Sequence, residues 1–167
     1  ICLLRLSAIG DVCHAVAMVQ RIQHFAPETQ ITWIIGKVEY QLLKGLPGVT
    51  FVIFDKSKGV SAYSELRRSL KGQSFDVLFA MQVAFRANLA AAMIPARFKY
   101  GFDWDRCKEL HWLFTNRRVS AQHHPHVLDG FMAFADALGV PKLEQPVWQV
   151  PIEEEVAIWA EHIISGL

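Results

Sequence analysis

The stretch Ile1-Cys2-Leu3-Leu4-Arg5-Leu6-Ser7-Ala8-Ile9-Gly10-Asp11-Val12-Cys13-His14 changes its periodicity half-way along. Ile1–Leu6 is a continuous apolar run interrupted only by Arg5, which reads as a short strand buried on both faces. Ser7-Ala8-Ile9-Gly10 reads as a tight turn. From Asp11 onward Val12, Ala15, Val16, Val19 and Ile22 recur three and four apart, the stripe of an amphipathic helix that stops before Pro27. A buried strand passing through a tight turn into a helix is the opening unit of a parallel α/β sheet.

The same alternation continues outward. Strands are predicted at Gln30–Ile35, Thr50–Phe54, Phe75–Ala80, Phe98–Gly101 and Pro146–Val150. Helices are predicted at Val38–Lys44, Ala62–Lys71, Ala84–Met93, Asp105–Phe114, Pro125–Leu138 and Glu153–Ile164, with Lys56–Gly59 as a charged loop. The strands are continuous rather than alternating. They imply a Rossmann-like parallel sheet with helices on both faces. Residues 1–150 form the expected domain. The Pro141–Pro151 stretch, with three prolines, marks its boundary, and residues 151–167 lead away from it.

Composition narrows the function classes. The 167 residues are 52% apolar and 20% charged, enough for one sizeable core and incompatible with disorder. No run free of Lys, Arg, Asp and Glu exceeds ten residues, whereas a membrane helix needs about 20. Cys2, Cys13 and Cys107 are odd in number and form no CxxC, so a disulfide framework is not expected and a cytoplasmic setting is. Net charge is +1, but residues 1–150 hold 17 basic and 12 acidic groups, a net +5. That bias suits a small anionic ligand and is too weak to indicate nucleic acid. The chain starts at Ile1 and is expected to be one part of a longer protein.

In an open α/β sheet ligands bind at the carboxyl ends of the strands. The first turn has a single glycine, Gly10, which excludes a GxGxxG clamp, and no GKS or GKT follows it. It offers Asp11 at the helix start and His14 three residues on, near the same helix end. Gly10 lets backbone pass close to a ligand. Asp is also a favoured helix cap, and capping alone accounts for Asp11 equally well. His123-His124-Pro125-His126 spans a proline turn with the cysteines remote, so no metal site is expected. Trp104 and Trp112 read as core or domain-edge residues, with sugar stacking the alternative.

Ser7-Ala8-Ile9-Gly10-Asp11-Val12-Cys13-His14 resembles the S-[SA]-[IM]-G-D-[VI]-L-H signature of the bacterial heptosyltransferases, glycosyltransferase family nine. Three further segments resemble the family in order. They are Lys99-Tyr100-Gly101-Phe102-Asp103-Trp104 with Lys108-Glu109, Leu113-Phe114-Thr115-Asn116-Arg117-Arg118, and His126-Val127-Leu128-Asp129 with Leu138-Gly139. Among subgroups the likeness is greatest to heptosyltransferase I.

The resemblance implies the N-terminal half of a GT-B glycosyltransferase. Residues 1–150 would bind the acceptor, and an absent C-terminal domain would bind the donor. It implies transfer of heptose from ADP-heptose to the Kdo of the lipopolysaccharide inner core, with inversion and without metal or other cofactor. The family's base falls on Asp11. Ser7, Gly10, His14, Lys56, Lys58, Arg86, Lys108 and His126 fall where the family has acceptor-facing groups. Gln82 matches a family Gln, although Ala80 and Val83 replace its Asp and Gly neighbours. Gly130 stands where relatives often carry Arg. The implied partners are ADP-heptose and Kdo-lipid A, with peripheral contact at the inner face of the cytoplasmic membrane. The fragment alone is expected to be inactive. Two alternatives are a family-nine transferase with a different acceptor and a non-catalytic Rossmann-like domain that binds a nucleotide or a partner.

Overall fold

Continuous apolar runs must bury both faces, and the computed structural model, which describes residues 1–152 and 154–165, shows how they do so. Six strands, β1 (Cys2–Leu4), β2 (Ile31–Gly36), β3 (Val49–Phe54), β4 (Phe75–Ala80), β5 (Ala96–Gly101) and β6 (Arg117–Arg118), form one parallel sheet in the order β3-β2-β1-β4-β5-β6. Among the described residues the α-helices are α1 (Ile9–Phe25), α2 (Lys37–Leu43), α3 (Ser61–Ser69), α4 (Phe85–Met93), α5 (Val127–Ala137) and α6 (Glu154–Ser165). The chain builds outward from β1 to β3, then returns to the other side of β1 with β4. That reversal defines the switch point of a Rossmann-like fold.

Side chains alternate across the sheet, so each strand feeds two cores. Leu3, Trp33 and Phe79 point to the face covered by α1 and α5, where Val16, Val19 and Phe134 are fully buried. Cys2, Leu4, Ile34 and Leu78 point to the other face, under Leu66 of α3 and Ala87, Ala90 and Ala91 of α4. The alanines let α4 lie close to the sheet. Arg21 of α1 is itself buried. Its Nε donates to the Pro141 carbonyl at 2.7 Å, and its Nη2 donates to Asp136 at 2.7 Å and to the Val140 carbonyl. It thereby fastens the C-terminal end of α5 to α1.

Four expectations need correction. No helix covers Asp105–Phe114: the segment forms turns and one 3-10 turn at His111–Leu113, because Glu109 and Leu110 take left-handed backbone angles (φ 50° and 60°). Pro146–Val150 is not a strand, and the sixth position is filled by the two-residue β6. The expected loop at 56–59 contains a 3-10 turn, Lys56–Lys58, whose Ser57 N–H is capped by Asp55 Oδ1 at 3.0 Å. Of the two readings of Trp104 and Trp112, core and domain edge, only the core reading needs correction, since both are exposed. The predicted last helix is present as α6, and Glu153 lies outside the described residues. Before α6, Pro151 packs near Gly45 at the end of α2.

Candidate active site

At the switch point the helices on either side of the sheet diverge and leave a cleft of about 860 Å³ at the carboxyl ends of β1, β2, β3 and β4. Leu6, Ser7 and Gln82 form its seam. The β2–α2 connection contributes Lys37 and Glu39, the turn after β3 contributes Lys56, and α4 contributes Phe85 and Arg86. Gln82 fixes the seam with both ends of its amide. Its Oε1 accepts from Leu6 N at 2.8 Å, and its Nε2 donates to Ser7 Oγ at 3.2 Å. Altered neighbours at Ala80 and Val83 therefore do not remove a function for this glutamine.

Asp11 stands just beyond the seam. The helix begins at Ile9 with Ala8 as its N-cap, so Asp11 is not the cap but the third helical residue. From there its carboxylate reaches back to the start of the helix. Asp11 Oδ2 accepts from Ala8 N at 3.2 Å and from Arg5 Nη2. Oδ1 has no hydrogen-bond partner among the described residues. Arg5 is held in turn: its Nη1 donates to the Met81 carbonyl at 2.5 Å, and its guanidinium lies 5.3 Å from the centre of the Phe131 ring. Burial pulls the Arg5 pKa below its ordinary value, and the adjacent Asp11 charge opposes that shift. The arginine that interrupts the apolar run of β1 is thus the anchor of the first turn.

The residues expected at the site fall into three groups. Ser7, Lys56 and Arg86 line the cleft. Asp11, Gly10, His14 and His126 lie on the side of the Ser7 turn that faces α5. There the His14 ring meets His126 at 5.5 Å, edge to face, and Trp148 at 4.8 Å. His126 caps α5 through its Nδ1, which accepts from Leu128 N at 3.2 Å. A Cβ on Gly10 would meet nothing within 4 Å, so no contact inside the protein demands glycine there. The third group lies away from the cleft. Lys58 turns outward to Glu65, at 2.8 and 3.0 Å, and Lys108 is exposed in the turns after β5.

Those turns are tied to the cleft by polar contacts, of which the one between Asn88 and His111 is buried. Glu109 Oε2 accepts from Phe85 N at 2.5 Å, Asn88 Nδ2 donates to the Glu109 carbonyl at 2.8 Å, and Asn88 Oδ1 meets His111 Nδ1 at 2.6 Å. A Cβ on Gly101 would come within 2.6 Å of His111 Nε2, so glycine is required for the histidine to pack. Burial pushes the His111 pKa down to about 4. The Ala80 carbonyl pulls it up in part, and Arg118 adds to the lowering. Arg106 pairs with Asp103, and its Nη1 would lie 2.8 Å from a Cβ at Gly130. A cation from a neighbouring turn therefore occupies the room left at position 130.

Sequence reasoning missed Glu39 and Trp148. Glu39 carries no signal beyond a carboxylate in a first helical turn, and Trp148 lies in a segment read as a strand. Among the described residues, no group of three His, Cys, Asp or Glu is placed to hold a metal ion, and no helix is long and apolar enough to cross a membrane.

Residues 63–158 match the sequence profile of Glycosyltransferase family 9 (heptosyltransferase). The chain belongs to glycosyltransferase family 9. This family 9 chain is 48% identical over 165 residues to the lipopolysaccharide core heptosyltransferase OpsX of Haemophilus influenzae, an alignment covering 99% of this chain and 47% of OpsX. Its fold superposes on E. coli heptosyltransferase WaaC with ADP (TM-score 0.78, 20% identity, 98% of this chain and 52% of that one). It also superposes on a family 9 glycosyl transferase from Veillonella parvula (TM-score 0.81, 20% identity, 99% and 48%). The chain spans about half the length of the curated relative and of the solved structures it matches. The sheet and its helices are the half of a GT-B transferase that the motifs imply.

Proposed function

We propose that this chain is the acceptor-binding half of an inverting, metal-independent heptosyltransferase. It would move heptose from ADP-heptose to the Kdo of the lipopolysaccharide inner core, with Asp11 as general base. The observation that carries the reading is the state of the Asp11 carboxylate. Both donors, Arg5 and the Ala8 N–H, engage Oδ2, and Oδ1 is left free on the α5 side of the turn whose Ser7 lines the switch-point cleft. A carboxylate aimed by one oxygen and open at the other suits proton removal.

In this mechanism the acceptor hydroxyl gives its proton to Asp11 Oδ1 while its oxygen attacks the anomeric carbon of the heptose. The bond to ADP breaks on the opposite face, so configuration inverts. The transition state has oxocarbenium character, as in glycoside hydrolysis. Charge on the departing pyrophosphate calls for cations or helix N-termini, which the donor-binding half supplies. Support for the donor comes from relatives: E. coli WaaC has been solved with ADP and with ADP-2-deoxy-2-fluoro heptose. Support for the acceptor comes from the identity to a lipopolysaccharide core enzyme and from Lys56 and Arg86 in the cleft, which suit Kdo carboxylates. Exposed Phe85, Leu110, Trp112 and Leu113, on the segments that close the cleft, suit a peripheral contact at the inner face of the cytoplasmic membrane.

The test is Asp11→Asn in the complete enzyme. Heptose transfer to Kdo-lipid A should fall by about 10²- to 10⁴-fold, the usual contribution of a positioned base, with the acceptor KM nearly unchanged. Transfer within a few-fold of wild type would remove Asp11 from the mechanism.

A further inference from the structure

Glu39 is 7% exposed, yet it lines the switch-point cleft and has no hydrogen-bond or ion-pair partner among the described residues. Its Oε2 lies over Gly36: a Cβ there would fall 2.3 Å from Oε2 and 2.3 Å from the Leu6 carbonyl oxygen. Any residue larger than glycine at position 36 would drive the carboxylate out. The Leu6 carbonyl cannot serve as its donor, and it already accepts from Gly36 N at 3.0 Å. Lys37, two residues back along α2 and in the same cleft, pairs with Asp55 at 3.7 Å. Placement in the first turn of α2 offsets part of the cost of burying a charge. Carboxylates of buried residues are ordinarily hydrogen-bonded, whereas this one has no partner among the described residues and opens onto the cleft. A residue buried over nine-tenths of its surface, whose carboxylate has no donor among the described residues and faces a cleft, marks the position of donors that arrive with a ligand.

We propose that Glu39 reads acceptor hydroxyls. Its two carboxylate oxygens accept from a neighbouring pair of hydroxyls on the acceptor sugar, while Lys56 and Arg86 hold the sugar's anionic substituent. This rests on the reading that the cleft receives the acceptor. The choice of hydroxyls over a ligand cation follows from the cleft's own charge: Lys56 and Arg86 share it and would repel an ammonium group. Glu39 is therefore a specificity-determining residue rather than a second base, and Asp11 lies outside the set of residues lining this cleft.

A site built to hydrogen-bond a hydroxyl discriminates strongly against the analogue that lacks it, because its buried group is then left unpaired. The complete enzyme is assayed with its Kdo acceptor and with each single-deoxy analogue of the acceptor's terminal sugar, as wild type, Glu39→Gln and Glu39→Ala. Wild type should disfavour at least one deoxy analogue by tenfold or more in kcat/KM. Both variants should bring that ratio to within about threefold of unity, with the KM for ADP-heptose unchanged. Glu39→Gln keeps the shape of the side chain and breaks no polar contact among the described residues, so its melting temperature should match that of wild type. Undiminished discrimination in both variants overturns the proposal, as does a lower melting temperature with unchanged acceptor kinetics, which would make Glu39 a structural residue. No transfer to any Kdo acceptor by wild type would instead overturn the acceptor reading itself.

Discussion

A single guanidinium decides how the first turn presents its carboxylate. Arg5 bridges the Met81 carbonyl at the end of β4 and Asp11 on α1, above the Phe131 ring of α5. It therefore reports the position of three elements to one oxygen of Asp11. Lysine has a single charged tip and cannot make both contacts in the same planar geometry. Arg5→Lys should lower kcat by about tenfold, roughly 1.4 kcal/mol of transition-state stabilisation, with both KM values within twofold of wild type. Arg5→Ala should in addition cost about 2 kcal/mol of stability, because the Met81 carbonyl and Asp11 both lose a charge-assisted partner. Urea titration beside steady-state kinetics separates the two effects. A loss of stability in Arg5→Lys without a fall in kcat would make the arginine only a brace. At this scale the sequence was partly legible. The spacing from Ser7 to His14 marks the turn and Asp11, since small residues followed by a helical stripe leave little choice of backbone. The meaning of Arg5 was not legible, because its partners Met81 and Phe131 lie 76 and 126 positions away. The pairing of Lys58 was not legible for a different reason: Glu65, only seven positions on, is brought to its ammonium by the turn into α3.

Among the elements, the strands and most helices follow from local pattern, and the exceptions have two causes. β6 has two residues, both arginine, and offers no apolar period to read. The segment 105–114 has helical composition but is held as turns by two contacts to α4, Glu109 to Phe85 N and His111 to Asn88, and by the local pair Asp103–Arg106. These contacts seat the segment against α4, whose first turn carries Arg86 into the cleft. The seat is sensitive to acid. His111 is buried and neutral in the folded chain with a pKa near 4, against 6.5 when unfolded. Between those values the unfolded state binds the extra proton, so stability is complete above pH 6.5 and is lost as pH falls toward 4. The full shift is worth about 3 kcal/mol. Chemical denaturation at pH 7 and pH 4.5 should show a smaller difference in stability for His111→Gln than for wild type. An equal difference in the two proteins would mean that His111 does not govern the acid response.

For the molecule as a whole, the doubly wound sheet shows how a nearly neutral chain would bind the anionic acceptor proposed for it. The net charge of +1 averages a body of net +5 over residues 1–150 with an acidic C-terminal segment. Within that body the topology selects which cations matter. Lys56 arrives after β3 and Arg86 at the start of α4, on opposite sides of the reversal between β1 and β4, and the cleft joins them. Neither is engaged by a carboxylate, whereas Lys37, Lys58 and Arg106 are. An anionic acceptor spanning the cleft would meet one cation at each wall, and the donor, held by the other half of the enzyme, would meet neither. Arg86→Glu in the complete enzyme should therefore raise the acceptor KM by tenfold or more and leave the ADP-heptose KM within twofold. Lys56→Glu should act in the same direction. Because both cations are exposed to solvent, raising salt from 0.05 to about 0.5 M should weaken acceptor binding in wild type more than in either variant. Equal rises in both KM values would place the two cations on the donor path. An acceptor KM that ignores both reversals would move the anionic end of the acceptor out of this cleft, toward the side of the Ser7 turn where His14 and His126 meet.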